Sequence, residues 1–128
     1  MVVLDTHVLV YDALAPNRLT ARARRALAGA DGPLAASDIS LWELAMLIAR
    51  GRLDPGADAI EFIQNVIDAR SLQVLAVTPK IAVLAQSDDF AHGDPADRII
   101  AATAIAHGAA LVSADRQLAR VKGLRVLW

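Results

Sequence analysis

A chain of 128 residues, 55% of them apolar, is long enough to bury a core of its own, and one domain over 1–128 is expected. Its formal net charge of −1 gives no whole-molecule attraction for nucleic acid. The absence of cysteine excludes disulfides and Cys-based zinc sites.

The three histidines, His7, His92 and His107, are scattered and show no ligand spacing. A mean hydropathy of +0.40 is high for a monomer of this size and suggests a buried protein interface, since soluble monomers rarely expose large apolar patches. The start, MVVLD, has no basic segment followed by a long apolar one. The charge-free run Ile99 to Ala114 is shorter than the ~20 residues that span a bilayer. A soluble, cytoplasmic chain is expected.

In chain order, Val2-Leu4 reads as a compact apolar strand ending at Asp5. Thr20-Ala30 reads as a helix, followed by the turn Asp31-Gly32-Pro33. Leu34-Ala36 suits a short strand, and Ser37 or Asp38 then caps a helix that runs to Arg50 and stops at Gly51. Pro55-Arg70 reads as the next helix, Leu72-Val77 as a strand, and Pro79-Ser87 as a helix opened by proline. Asp94-His107 is a helix, Ala109-Val112 a strand, Asp115-Val121 a short helix and Leu124-Leu127 a last strand.

The strands are short and do not alternate apolar with polar, as expected where helices cover both faces. Alternating strands and helices predict a three-layer α/β/α sandwich with a short, mostly parallel central sheet. Ligands of such sheets bind beyond the carboxyl ends of the strands, so the residues just after each strand matter most.

Asp5 directly follows the first strand. It is either a cap for a helix starting near Thr6 or His7, or a buried carboxylate that needs a cation. Glu43 is the one acid between Ile39 and Ala49, in a stretch that is otherwise almost wholly apolar, which marks a buried helix. It lacks a basic residue three or four positions on, leaving Arg50 or a distant arginine as structural partners. Asp115 follows the strand ALVS and suits a helix cap equally well. In GDPADRIIAATA, Asp94 and Asp97 stand together at a helix start. Asp5, Glu43, Asp115 and one of Asp94 and Asp97 are expected to converge on one sheet edge. Oxygen-only donors of this kind suit Mg2+ or Mn2+, and such acid clusters suit phosphodiester chemistry.

The ordered set Asp5-Thr6, Ser40-Leu41-Trp42-Glu43, DPADRIIAATA and Val112-Ser113-Ala114-Asp115 resembles the PIN domain, and more narrowly the VapC-type toxins of bacterial type II toxin–antitoxin systems. The resemblance covers the whole chain. It implies a Mg2+- or Mn2+-dependent ribonuclease, usually a homodimer, held inactive by a cognate antitoxin and leaving a 5′-phosphate and a 3′-hydroxyl. It also implies that Asp5, Glu43 and Asp97 are the first three metal-binding acids and Asp115 a more peripheral fourth. Thr6 and Ser113 match small hydroxyl positions that orient the carboxylates. Asp94, followed by Pro95, is then the helix cap, with a spacing to Asp97 like that of a capping box.

The family often has a bulky aromatic where this chain has Ala96, a change that removes no ligand. Arg98 and Arg116 adjoin proposed ligands and are candidate phosphate contacts, or they balance the acids when no metal is bound. The segments Thr20-Ala30 and Trp42-Ile48 are candidate dimer or antitoxin contacts.

Two rival readings differ in kind. A phosphotransferase with Asp5 as nucleophile would want a second acid two residues on, where this chain has His7. A PIN-like module that only binds RNA or a partner would not need the intact acid set.

Overall fold

The computed structural model describes residues 1–90 and 93–128, so His92 lies outside the described residues. Five strands, β1 (Val2–Leu4), β2 (Leu34–Ser37), β3 (Gln73–Leu75), β4 (Ala110–Val112) and β5 (Val126–Leu127), form one sheet in the order β3-β2-β1-β4-β5. All four pairings are parallel, with Val3 opposite both Ala35 and Leu111. The expected layered α/β architecture is therefore what the chain adopts.

Among the described residues six helices surround the sheet: α1 (Thr6–Leu14), α2 (Ala21–Leu27), α3 (Asp38–Ala49), α4 (Ala59–Ala69), α5 (Pro79–Leu84) and α6 (Pro95–Ala106). Strand side chains alternate between two cores, as the pleat requires. Val2, Leu4, Ala36 and Val112 meet Val8, Leu9, Ala23, Leu44 and Phe62 from α1 to α4. Val3, Ala35 and Leu111 meet Ile81 of α5, Ile100 of α6 and Leu118 on the opposite face. Helix α6 buries Ile100 to Ala104 without a break. The alanines bring it close to the strands, and Thr103 satisfies its hydroxyl on the Ile99 carbonyl at 2.7 Å.

Local chemistry moves several expected boundaries. Helix α4 starts at Ala59 rather than Pro55, because Asp58 accepts hydrogen bonds from the Ile60 and Glu61 N–H groups at 3.1 and 3.3 Å. Gly56 just before it has φ +65°, outside the helical range. The expected helix Asp115–Val121 shrinks to a 3-10 turn at Leu118–Arg120, since Asp115 spends its carboxylate on the Gln117 N–H at 2.9 Å. Thr20 caps α2 rather than joining it, accepting from the Ala23 N–H at 3.1 Å. Among the described residues no helix is long and apolar enough to cross a membrane.

The chain leaves β1 through α1 and α2 to reach β2 and β3, then returns to the other side of β1 for β4 and β5. The direction of winding thus reverses between β1 and β4. A crevice at the carboxyl ends of the strands is expected at that point.

Candidate active site

Asp5 stands where β1 ends and α1 begins, and it does two structural jobs at once. Its Oδ1 accepts from the Thr6 N–H at 2.8 Å, capping α1, and its Oδ2 accepts from the Ser113 hydroxyl at 2.7 Å. Ser113 follows β4 directly, so this bond ties the two sides of the crevice together. Asp5 is only 2% exposed, and these donors supply what burial takes from its hydration. The cap and carboxylate readings of Asp5 are therefore not alternatives.

The His7 ring lies next to it. Its Nε2 accepts from the Ala114 N–H at 2.9 Å, and its Nδ1 lies 3.5 Å from Asp5 Oδ2. An accepting Nε2 puts the proton of the neutral ring on Nδ1, facing the carboxylate.

Glu43 comes from α3. Thr6 donates its hydroxyl to Glu43 Oε1, and Thr6 Oγ1 lies 3.0 Å from Ser40 Oγ, one turn before Glu43 on the same helix. So Thr6, not Arg50, is the partner of this acid. Burial pushes the Glu43 carboxyl above its ordinary range, the Thr6 hydrogen bond pulls it part of the way back, and the charges of Asp5 and Asp94 push it up again.

The two acids of GDPADRIIAATA come from the start of α6. Asp94 is its N-cap, with Oδ1 accepting from the Ala96 and Asp97 N–H groups at 2.9 and 3.3 Å. Asp97 lies in the first turn, where the helix dipole favours negative charge. Glu43, Asp94 and Asp97 each offer a carboxylate oxygen within 4.8 Å of the others. Asp5, Thr6, His7, Tyr11, Glu43 and Asp97 also line one cleft of about 220 Å3. The donors are all oxygens, and the half-buried Glu43 is pressed by like charges. That arrangement fits a hard divalent cation.

Asp115 stands apart from this cleft. Its N–H donates to Ser113 Oγ at 3.0 Å, so the Ser113 hydroxyl links it to Asp5. Its side chain lines a neighbouring recess of about 340 Å3 with Ser113, Arg116 and Trp128. Arg98 donates from Nε to the Ala85 carbonyl at 2.7 Å and from Nη2 to the Ser87 carbonyl at 3.1 Å. Its guanidinium thus fastens α6 to the end of α5. Arg116 is exposed.

Two features escape a reading of the sequence. Asp94 is a cap that also belongs to the acid cluster, because Oδ1 alone serves the helix. His7 is a clamp between Asp5 and the chain after β4. The DTH triplet carries a signal for His7 only once β4 is known to lie beside β1. On the other side of Glu43 lies a larger hollow of about 470 Å3, lined by Trp42, Met46, Asp94 and Ile99 among others. Trp42 is 59% exposed there.

A parallel sheet whose reversal point gathers acids from β1, α3 and α6 is the plan of one family, and the PIN domain profile matches residues 2–124. The chain belongs to the PIN-domain family. It is similar to Ribonuclease VapC22 of Mycobacterium tuberculosis, at 38% identity over 118 residues that cover 91% of this chain and 88% of the relative. Among solved structures it resembles VapBC2 from Rickettsia felis bound to a promoter DNA fragment, with a TM-score of 0.69 and 21% identity over 98% of this chain and 97% of that one. It also resembles FitAcB from Neisseria gonorrhoeae, with a TM-score of 0.66 and 22% identity over 98% and 96%. At those identities the two structures speak for the fold.

Proposed function

We propose that this protein is a Mg2+- or Mn2+-dependent endoribonuclease and the toxin of a toxin–antitoxin pair. The observation that carries this reading is the set of Glu43, Asp94 and Asp97 oxygens within 4.8 Å of one another, in contact with the cleft that Asp5 lines. The similarity to a ribonuclease of VapC type supports the substrate class. An antitoxin partner is supported by the fold shared with VapBC2, and the homodimer rests on the family resemblance.

Asp5, Glu43 and Asp97 would hold the cation, with Asp94 as a further donor and Asp115 acting from the adjoining recess. A bound divalent cation supplies Lewis acidity at the scissile phosphate and lowers the pKa of a water ligand. The chain's own contribution is orientation. Thr6 and Ser113 each fix one carboxylate by a hydroxyl donor. His7 holds the Asp5 side of the crevice to the backbone after β4. We assign Arg116 to substrate phosphate, and Arg98 to holding the α6 start, since its guanidinium is already engaged by two carbonyls.

The test is cleavage of RNA by wild type, Asp5→Asn and Asp97→Asn proteins in Mg2+, with and without chelator. Wild-type cleavage that stops in chelator and falls at least about a hundredfold in both variants is expected. Either variant cleaving at the wild-type rate would refute the assignment. Metal-independent RNA binding without cleavage by the wild type would instead establish a binding module.

A further inference from the structure

The chain has only five aromatic residues, two Trp, one Tyr and two Phe. The phenylalanines are buried in the cores. The lone tyrosine and one tryptophan are instead half-buried, and with the His7 ring they form a three-ring cluster at the edge of the acid cleft. His7 and Tyr11 centroids lie 5.6 Å apart, His7 and Trp128 6.3 Å, and Tyr11 and Trp128 6.5 Å, all at steep interplanar angles. At one end the Arg18 guanidinium covers Tyr11, with Cζ 4.3 Å from the ring centroid. At the other, exposed Arg116 shares the recess of Trp128. His7 and Tyr11 line the acid cleft itself, so the cluster sits beside Asp5 with one arginine against Tyr11 and another near Trp128.

Half-buried rings, an arginine on Tyr11, another near Trp128 and an acid centre alongside match what an unpaired polynucleotide needs. Bases stack on aromatic faces and arginine planes, and arginines meet the phosphates between them. A duplex offers no unstacked base for such a cluster.

We propose that Arg18, Tyr11, His7, Trp128 and Arg116 form a track for single-stranded RNA that leads the strand past the acid cleft. Unpaired bases stack on Tyr11 and Trp128, and Arg18 and Arg116 meet the flanking phosphates. The track rests on the ribonuclease reading above, and supplies the positioning that the acids cannot, since carboxylates repel the strand they cut.

The test is binding of a fluorescein-labelled single-stranded RNA of mixed sequence to the full chain by anisotropy, in calcium in place of magnesium. The same strand annealed to its complement is the comparison, and wild-type RNA cleavage in magnesium is measured in parallel. Trp128→Leu and Tyr11→Leu are each expected to weaken single-strand binding about five- to a hundredfold. Trp128→Phe and Tyr11→Phe, which keep a ring, are expected to restore most of it. Arg116→Ala and Arg18→Ala, at exposed positions, should each lower the salt slope of binding by about 0.7. In a Trp42→Phe background Trp128 is the sole tryptophan, and its fluorescence should be quenched by the RNA.

Wild type that cleaves RNA while folded Leu and Ala variants bind single strands as it does would overturn the track and leave the ribonuclease reading intact. Equal preference for duplex would also overturn it. So would variants that lose affinity only for a co-expressed antitoxin, which would make the cluster a protein contact. Wild type that neither binds nor cleaves would end both proposals.

Discussion

Thr6→Val probes the acid centre through a single hydroxyl. Thr6 is 5% exposed, and its Oγ1 serves Glu43 while lying 3.0 Å from Ser40. Valine keeps the shape and removes the donor. A hydrogen bond to a charged group contributes about 1.5–3 kcal/mol, but Glu43 is only half-buried and water replaces part of it, so about 1–1.5 kcal/mol is the expected loss at neutral pH. With unfolding entropy near 2.1 cal/mol/K per residue, a chain of 128 residues loses roughly 4–6 °C in melting temperature.

The pH dependence has a definite sign. The folded Glu43 pKa is raised, by burial first and by Asp5 and Asp94 after it. Its contribution to stability is therefore full below the ordinary glutamate value and is lost as pH rises through the folded value. The Thr6 hydroxyl offsets that loss by serving the ionised form. Thr6→Val should cost most where Glu43 is ionised and least where it is protonated. The assay is circular-dichroism melting of wild type, Thr6→Val and Thr6→Ser at about pH 7.5 and about pH 4. Serine should stay near wild type. An equal loss for valine at both pH values would show that packing, not the hydrogen bond, is what Thr6 provides.

Other outcomes follow from the same geometry. Mg2+ or Mn2+ at a hundred times its Kd should stabilise the protein by about 2.7 kcal/mol, or roughly 10 °C in melting temperature, and Asp97→Asn should shrink that shift; identical melts with metal and with chelator would refute the site. Asp94→Asn keeps a good N-cap and removes a charge, so its metal-free melting temperature should match or exceed the wild type while its metal-induced shift falls. Asp94→Ala should in addition lose about 0.5–2 kcal/mol of stability, and an alanine variant as stable as the asparagine one would remove the capping role. Leu111→Ala, at a position fully buried between β1 and β5, should cost about 2–5 kcal/mol in a chemical-denaturation curve.

Much of the layout is legible because the three central strands, β1, β2 and β4, are short apolar runs that lead into a polar residue. Val2-Leu4 stops at Asp5, and the strand Leu34–Ser37 stops at Asp38. Asp5, Glu43 and Asp97 stand out because an acid beside so many apolar neighbours has no reason to be there as packing. What the sequence hides is set by competition for single side chains. The Asp58 carboxylate decides where α4 starts, and the Asp115 carboxylate turns an expected helix into one tight turn. Asp94 reads as a cap because capping uses one of its oxygens, and the other becomes informative only when α3 brings Glu43 alongside. Asp115 meets Asp5 only through the Ser113 hydroxyl, which accepts from the Asp115 N–H and donates to Asp5, a link that exists only once β4 lies beside β1.

The bond from Ser113 to Asp5 spans 108 positions of the chain. While the protein is being made, Asp5 leaves the ribosome long before Ser113 exists. At synthesis rates of about 5–20 residues per second, the interval is roughly 5–20 s. Throughout that time β1 has no β4 beside it, Asp5 has no hydroxyl to fix its second oxygen, and Asp97 arrives only near the end. A site assembled this way reaches its folded geometry only once Ser113 has been added.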